Sequence, residues 1–227
     1  MRMRRKKHGA ERIAACSEIL IAEPPVPAID PQSHFSARRP IHLEIGCGKG
    51  DFAVGMAEAN PDCSFIAMER VPDVACIALE KAMRRAEHRP DNLRFLIGDA
   101  RNLAEWFPES SVDCIYLNFS DPWPKKGYAK RRLTHEGFLA LYRRILVPGG
   151  LLRLKTDNEG LFDFSLEQFA ACGLTVEWCS RDLHASEKAD GNIMTEYERN
   201  FSERGQVIYS AWVRFPSEKA VASVGEA

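Results

Sequence analysis

The sequence predicts an α/β protein: a mostly parallel, seven-stranded sheet with an antiparallel last strand and helices on both faces. Three observations predict it. From Ile41 to Cys172, short apolar runs alternate with segments of helical periodicity, the pattern of repeated βαβ units. The first run is followed at once by Gly46-Cys47-Gly48-Lys49-Gly50, a sharp strand-to-helix turn of the kind glycine permits. The last two runs, 174–179 and 207–215, alternate apolar and polar residues with period two, as an antiparallel pair does.

Residues 1–40 read as a basic arm and linker, 41–216 as the folded domain, and 217–227 as a flexible tail. The arm, with Arg2, Arg4, Arg5, Lys6, Lys7 and His8, is either solvated or a phosphate contact that orders on binding. Glu11 to Ile21 reads as a short helix, stopped by Glu23-Pro24-Pro25-Val26-Pro27, and Ile29 to Pro40 as a linker. Ile41–Ile45 is the first strand, and Phe52, Met56 and Ala59 mark the helix after the glycine turn. Ser64–Glu69 is the second strand, with Pro72 at the start of a helix reaching about Glu87. Leu93–Ile97 is the third. Val112–Leu117 is the fourth, too apolar to be other than buried.

Phe138, Leu141, Tyr142, Ile145 and Leu146 then give the core face of a helix with Thr134 as N-cap and Pro148-Gly149-Gly150 as its end. Leu151–Thr156 is the fifth strand, before a helix over Gly160–Cys172. The segment from Arg181 to Gly205 is too long for a hairpin turn. Within it, Thr195 and Glu198 have the spacing of a capping box.

Composition narrows the function classes. The 227 residues carry a net charge of −1, so this is not a uniformly basic nucleic-acid binder. The cations are clustered, however, at Arg2–Lys7, Arg84–Arg89 and Lys125–Arg132, and a local patch suffices to attract a polyanion. Seven cysteines with no C-x-x-C pair argue for reduced thiols in a cytoplasmic protein, and against a disulfide framework or a zinc site. No apolar run approaches the length of a membrane span, and no apolar stretch follows the basic N-terminus as in a signal peptide.

The chemistry concentrates at the ends of the strands. Asn118-Phe119-Ser120-Asp121-Pro122-Trp123-Pro124 follows the fourth strand, and its two prolines force the chain out of the sheet into a stiff loop. Between Asp121 and Arg132 lie five cations. Ligands of open α/β sheets bind outside the carboxyl ends of the strands. Glu44, Glu69 and Asp99 each stand near the end of a successive strand. Glu69 lies 23 residues after Gly46, where an acid accepts hydrogen bonds from ribose hydroxyls. Glu69 and Asp99 also have a plainer use as helix caps, as does Asp157 for the helix over Gly160–Cys172. Together Glu44, Glu69 and Asp99 suit a ligand with an amino acid end, a ribose and an exocyclic adenine amine. The glycine spacing is G-x-G-x-G with Asp51 next, so the dinucleotide fingerprint is not met.

Glu44-Ile45-Gly46-Cys47-Gly48-Lys49-Gly50 resembles the first motif of Rossmann-like class I S-adenosylmethionine-dependent methyltransferases. Asn118–Arg132, Leu154-Lys155-Thr156-Asp157 and Thr195-Glu196-Tyr197-Glu198 together resemble the bacterial single-chain tRNA (guanine-N7)-methyltransferase family. The resemblance covers nearly the whole chain. It implies an S-adenosylmethionine site made by Glu44, Gly46, Gly48, Gly50, Glu69, Asp99, Ala100, Asn118 and Asp121, with no metal. It implies substrate contacts at Lys125, Asp157, Thr195, Glu196, Tyr197 and Glu198, and RNA contacts at Gly127, Tyr128, Ala129, Lys130, Arg131 and Arg132. The implied target is the variable-loop guanosine at tRNA position 46. The Pro124-Lys125-Lys126 form is similar to the branch in which homodimers occur.

Guanine N7 carries a free lone pair, so methyl transfer to it needs no general base, and catalysis should rest on positioning and electrostatics. Asp121 is the candidate catalytic residue, placed to stabilise charge growing on the base. Asp157 or Glu198 would accept hydrogen bonds from the N1–H and amino edge. Trp123 either stacks on a base or wedges the loop. The competing classes are a methyltransferase acting on another RNA, a protein or a small molecule, a non-catalytic RNA-binding module, and a nicotinamide dehydrogenase. The last lacks the third glycine.

Overall fold

The structure, a computed structural model, describes residues 7–21, 30–85 and 90–217. Most of the basic arm, Pro24 to Pro27, the end of the cluster at Arg84–Arg89 and nearly all of the tail lie outside the described residues. The sheet strands are β1 (Leu20–Ile21), β2 (Ile41–Ile45), β3 (Ser64–Glu69), β4 (Leu93–Ile97), β5 (Val112–Asn118), β6 (Leu146–Thr156), β7 (Thr175–Ser180) and β8 (Tyr209–Arg214). The helices are α1 (Gly9–Ala14), α2 (Asp51–Ala59), α3 (Pro72–Met83), α4 (Leu103–Trp106), α5 (Glu136–Ile145), α6 (Glu159–Ala171) and α7 (Glu196–Ser202), with short 3-10 turns at Pro31–His34, Ala100–Asn102 and Lys126–Arg131.

The strand order is β1-β4-β3-β2-β5-β6-β8-β7. Pairing is parallel from β1 to β6, and β8 runs antiparallel between β6 and β7. Alternate residues serve opposite faces, as pleating requires. Ile41, Leu43 and Ile45 of β2 and Ile115 and Leu117 of β5 pack with α4, α5 and α6 through Trp106, Tyr142, Phe162 and Phe169. On the other face Phe65, Phe95, Cys114 and Tyr116 pack with α2 and α3 through Phe52 and Leu79. Each such large apolar side chain contributes about 1.5–3 kcal/mol on burial. Sandwiching helices on both faces leaves the strand ends as the place where polar side chains can gather.

The sequence expectation needs four corrections. Among the described residues the sheet has eight strands, not seven, because Leu20–Ile21 adds an edge strand beside β4. The segment read as one helix over Glu11–Ile21 is helical only in α1, and then turns so that Ile19 and Ile21 bury against the sheet. Arg12 of α1 grips Glu80 of α3 at 2.6 and 2.7 Å, so residues ahead of 41 are packed onto the domain. Thr134 is not the cap of α5. It is buried and accepts from the Ser165 hydroxyl at 2.8 Å, while His135 Nδ1 accepts from the Gly137 N–H. Pro148-Gly149-Gly150 does not lie beyond the helix as a loop. The helix ends at Ile145 and the three residues sit inside β6, where the register with β5 shifts.

Candidate active site

Strand order reverses at β2, whose neighbours are β3 on one side and β5 on the other. A crevice opens outside the carboxyl ends of the strands at such a point. Here it is a cleft of about 690 Å³, lined among others by Gly46, Glu69, Asp99, Ala100, Asn118 and Asp121. The turn after β2 is left-handed at Gly46 (φ +83°) and Gly48 (φ +56°), and a Cβ at either would meet no atom within 4 Å. These two glycines are therefore needed for conformation, and their free face is open to a ligand. Gly50 (φ +80°) is left-handed as well, but a Cβ there would also crowd Ala78 at 3.1 Å and Phe95 at 3.3 Å, so it serves packing besides conformation.

The acids are held in distinct ways. Glu69 accepts from Gly48 N–H at 3.0 Å and from Val71 N–H at 2.8 Å, which ties the glycine turn to the end of β3. Asp99 caps the 3-10 turn at Ala100–Asn102, and the Arg101 side chain clasps it at 3.0 and 2.9 Å. That guanidinium holds its carboxyl below the usual range. Arg101 is largely exposed, so its side chain can swing away at little cost.

Glu44 stands behind the cleft. It is 4% exposed, its Oε1 accepts from Asn118 Nδ2 at 2.9 Å, and its Oε2 is buried with no partner. Burial pushes its carboxyl up to about 7, against the opposing pull of Asn118 and Lys155. An unfolded glutamate titrates near 4.5, so the fold favours the protonated acid. The stability this contributes is present below pH 4.5 and is lost as pH rises through 7, about 3 kcal/mol in all. Chemical denaturation without cofactor should show that decline between about pH 5 and 8, and Glu44→Gln should flatten it. An unchanged pH profile in the variant would show that Glu44 is ionised throughout.

The loop after β5 is strained and braced. Phe119 (φ +53°) and Trp123 (φ +42°) both have left-handed backbone, rare for bulky residues and characteristic of functional sites. Arg132 donates to the carbonyls of Pro122 and Trp123 at 3.0 and 3.1 Å and lies over the Phe164 ring. It serves as an internal brace, in contrast to the phosphate contact expected of it. Arg131 lies over both Trp123 and Tyr128 at 4.9 and 4.6 Å. Trp123 is thus wedged among loop residues while still lining the cleft. Lys130 and Arg131 also line the cleft. Lys125, Lys126, Gly127 and Tyr128 are exposed, with Ala129 half-buried.

Asp157 follows β6 and lies beside α7. Asn158, not Asp157, caps α6 by accepting from Leu161 N–H at 2.8 Å, which releases Asp157 for other work. Its Oδ2 accepts from the Tyr197 hydroxyl at 3.2 Å and from Gln206 at 3.3 Å. Burial, aided by Asp157, pushes the Tyr197 phenol up to about 12. Thr195 and Glu198 form the expected capping box of α7, and Glu196 pairs with Lys49 of the glycine turn at 2.7 Å.

Glu198 is not available to a base, which corrects the expectation for it. It is fully buried, and its oxygens accept from Lys155 Nζ at 2.7 Å and Asn192 at 2.5 Å, with His184 Nε2 at 2.9 Å. Burial alone would push its carboxyl up, but Lys155, His184 and Asn192 outweigh that and hold it down. Lys155 also donates to Asn192 Oδ1 and the Ile193 carbonyl. Sequence reasoning missed Lys155, His184 and Asn192, because their roles arise only where the 181–205 segment folds over β6. Phe119 was passed over too, although an aromatic residue heading a proline-stiffened loop was a usable signal.

The comparisons agree with this geometry. A family model described as "Putative methyltransferase" matches residues 38–211. The solved 16S rRNA methyltransferase KamB shares the fold, with a TM-score of 0.60 at 14% identity over 85% of this chain and 100% of that one. TrmN from Thermus thermophilus gives a TM-score of 0.50 at 23% identity, over 78% of this chain and 44% of that one. A tRNA (guanine-N(7)-)-methyltransferase of Limosilactobacillus reuteri is 45% identical over 95% of this chain and all of its own length. One of Latilactobacillus sakei is 45% identical over 92% of this chain and 97% of its own, and one of a Geobacillus strain is 44% identical over 95% and 96%. With the acids of three strand ends in one cleft beside the braced aromatic loop, and identity of this degree along almost the entire length, the chain belongs to the tRNA (guanine-N(7)-)-methyltransferase family.

Proposed function

We propose that this cleft directs methyl transfer from S-adenosylmethionine to N7 of the variable-loop guanosine at position 46 of tRNA. One observation carries it: Glu69, Asp99 and Asp121, from three separate strand ends, face a single cleft whose rim holds Lys130 and Arg131. The residues fit the cofactor. Glu44 Oε2 and Ser120 Oγ are buried without partners, and Gly46 and Gly48 present open backbone. Glu69 would take the ribose hydroxyls, Asp99 with Ala100 the adenine edge, and Gly46 with Glu44 and Asn118 the amino acid end. The bound cofactor supplies an electrophilic methyl group on a sulfonium.

The protein's own part is to hold and orient. N7 needs no deprotonation, so Asp121 acts on charge, holding the base as it becomes cationic. Asp157, half-buried beside Tyr197, accepts from the guanine N1–H and amino edge, with Tyr197 positioning it. Thr195, Glu196 and Glu198 act through α7, whose start they fix. Lys125 and the segment from Gly127 to Arg131 face the RNA backbone. Lys130→Gln should weaken tRNA binding and lower the log–log salt slope by about 0.7–0.9. A slope equal to wild type would remove Lys130 from the RNA contact.

Incubating the protein with labelled S-adenosylmethionine and unmodified tRNA, then mapping the labelled nucleotide, tests the whole assignment. Label at a variable-loop guanine N7 is the expected outcome; label elsewhere in the tRNA, or none, overturns it. Among the described residues no helix is long and apolar enough to cross a membrane, and the reduced cysteines favour a cytoplasmic setting. A homodimer belongs to the same proposal, supported by the Pro124-Lys125-Lys126 form, and sedimentation would decide it.

A further inference from the structure

We propose that Phe119 is a base-stacking residue that holds the target purine, with Tyr197 completing an aromatic wall beside Asp157. The inference rests on the tRNA substrate proposed above. Phe119 is the first residue beyond β5, and its N–H donates to the Lys155 carbonyl at 2.8 Å, so its backbone is pinned to the sheet. Its φ of +53° is disfavoured for any residue with a Cβ and is ordinarily left to glycine. A position that needed only a turn would be served better by glycine or asparagine. The ring must therefore matter where this backbone sends it, and it lines the cleft between Asn118 and Asp121.

There the Phe119 ring lies 5.0 Å from that of Tyr197, and Tyr197 stacks on Phe201 at 4.1 Å. Tyr197 is 43% exposed although it is a large aromatic residue. Its hydroxyl meets Asp157. A cleft-lining ring and an exposed ring beside it, next to a carboxylate acceptor, match the chemistry of an extruded guanine, which offers a flat face and an edge of donors.

Three variants test this: Phe119→Leu, Phe119→Tyr and Phe119→Gly. Stacking on an aromatic side chain is sequence-tolerant in strength but is lost with the ring. Phe119→Leu and Phe119→Gly should lower kcat/KM for tRNA about ten- to a hundredfold, with affinity for S-adenosylhomocysteine within about twofold of wild type. Phe119→Tyr should stay within about threefold. Thermal melting separates strain from packing: Phe119→Gly should melt above Phe119→Leu, since only glycine relaxes the left-handed backbone. Unchanged tRNA kinetics in Phe119→Leu, or an equal loss of S-adenosylhomocysteine affinity, would reduce Phe119 to loop packing. A wild-type protein that methylates no tRNA guanosine would instead overturn the substrate assignment.

Discussion

Asp121→Ala is expected to lower kcat for tRNA methylation by about 10²–10³, the usual consequence of removing one pre-organised charge from a developing transition state. Asp121 is exposed and lines the cleft, two residues past Phe119 in the strained loop. The loop stays in place without its side chain, because Arg132 holds the carbonyls of Pro122 and Trp123 and Phe119 is tied to β6. Binding of S-adenosylhomocysteine should therefore fall much less than turnover. The same reasoning makes Asp121→Asn informative, since it keeps the shape and removes the charge. Single-turnover rates with saturating cofactor and tRNA give the measurement. A turnover within about threefold of wild type would show that positioning alone carries the reaction.

Lys155→Met is expected to cost about 3–5 kcal/mol of stability, because it strands the fully buried Glu198 without its cation. For a domain of this size that is a drop of roughly 10 °C in thermal midpoint. Burial pushes the Lys155 ammonium down, and Glu198 and Glu44 hold it up, so each charge is tolerable only beside the other. The double variant Lys155→Met with Glu198→Gln should recover more than half of the loss, since the new amide would still bond to His184 and Asn192 while carrying no charge. Additive losses in the double variant would show that the two side chains act independently. The pair also joins two functional segments. Lys155 is the ladder partner of Asn118, which holds Glu44, and its ammonium anchors the residues leading into α7.

Much of this was written in local patterns. The β2–turn–α2 unit was legible because glycines at 46 and 48 have few uses besides a left-handed turn, and both are left-handed. The parallel core was legible from its apolar runs, and the last antiparallel pair from its alternation. The edge strand Leu20–Ile21 was not, since two residues carry no periodicity and its pairing with β4 joins positions 75 apart in sequence. Nor was Arg132, whose neighbours in the run face outward while it turns in to brace backbone carbonyls.

The chain by itself determined the strand–helix alternation, the glycine turn and the carboxylates at the strand ends, because each depends on residues close in sequence. Tertiary structure alone decided which carboxylates remain available. Asp157 is released because Asn158 takes the cap, and Glu198 is withdrawn because Lys155, His184 and Asn192 enclose it. A charged group's role follows from its solvation and its partners, and those are set by segments that meet only when the sheet is assembled.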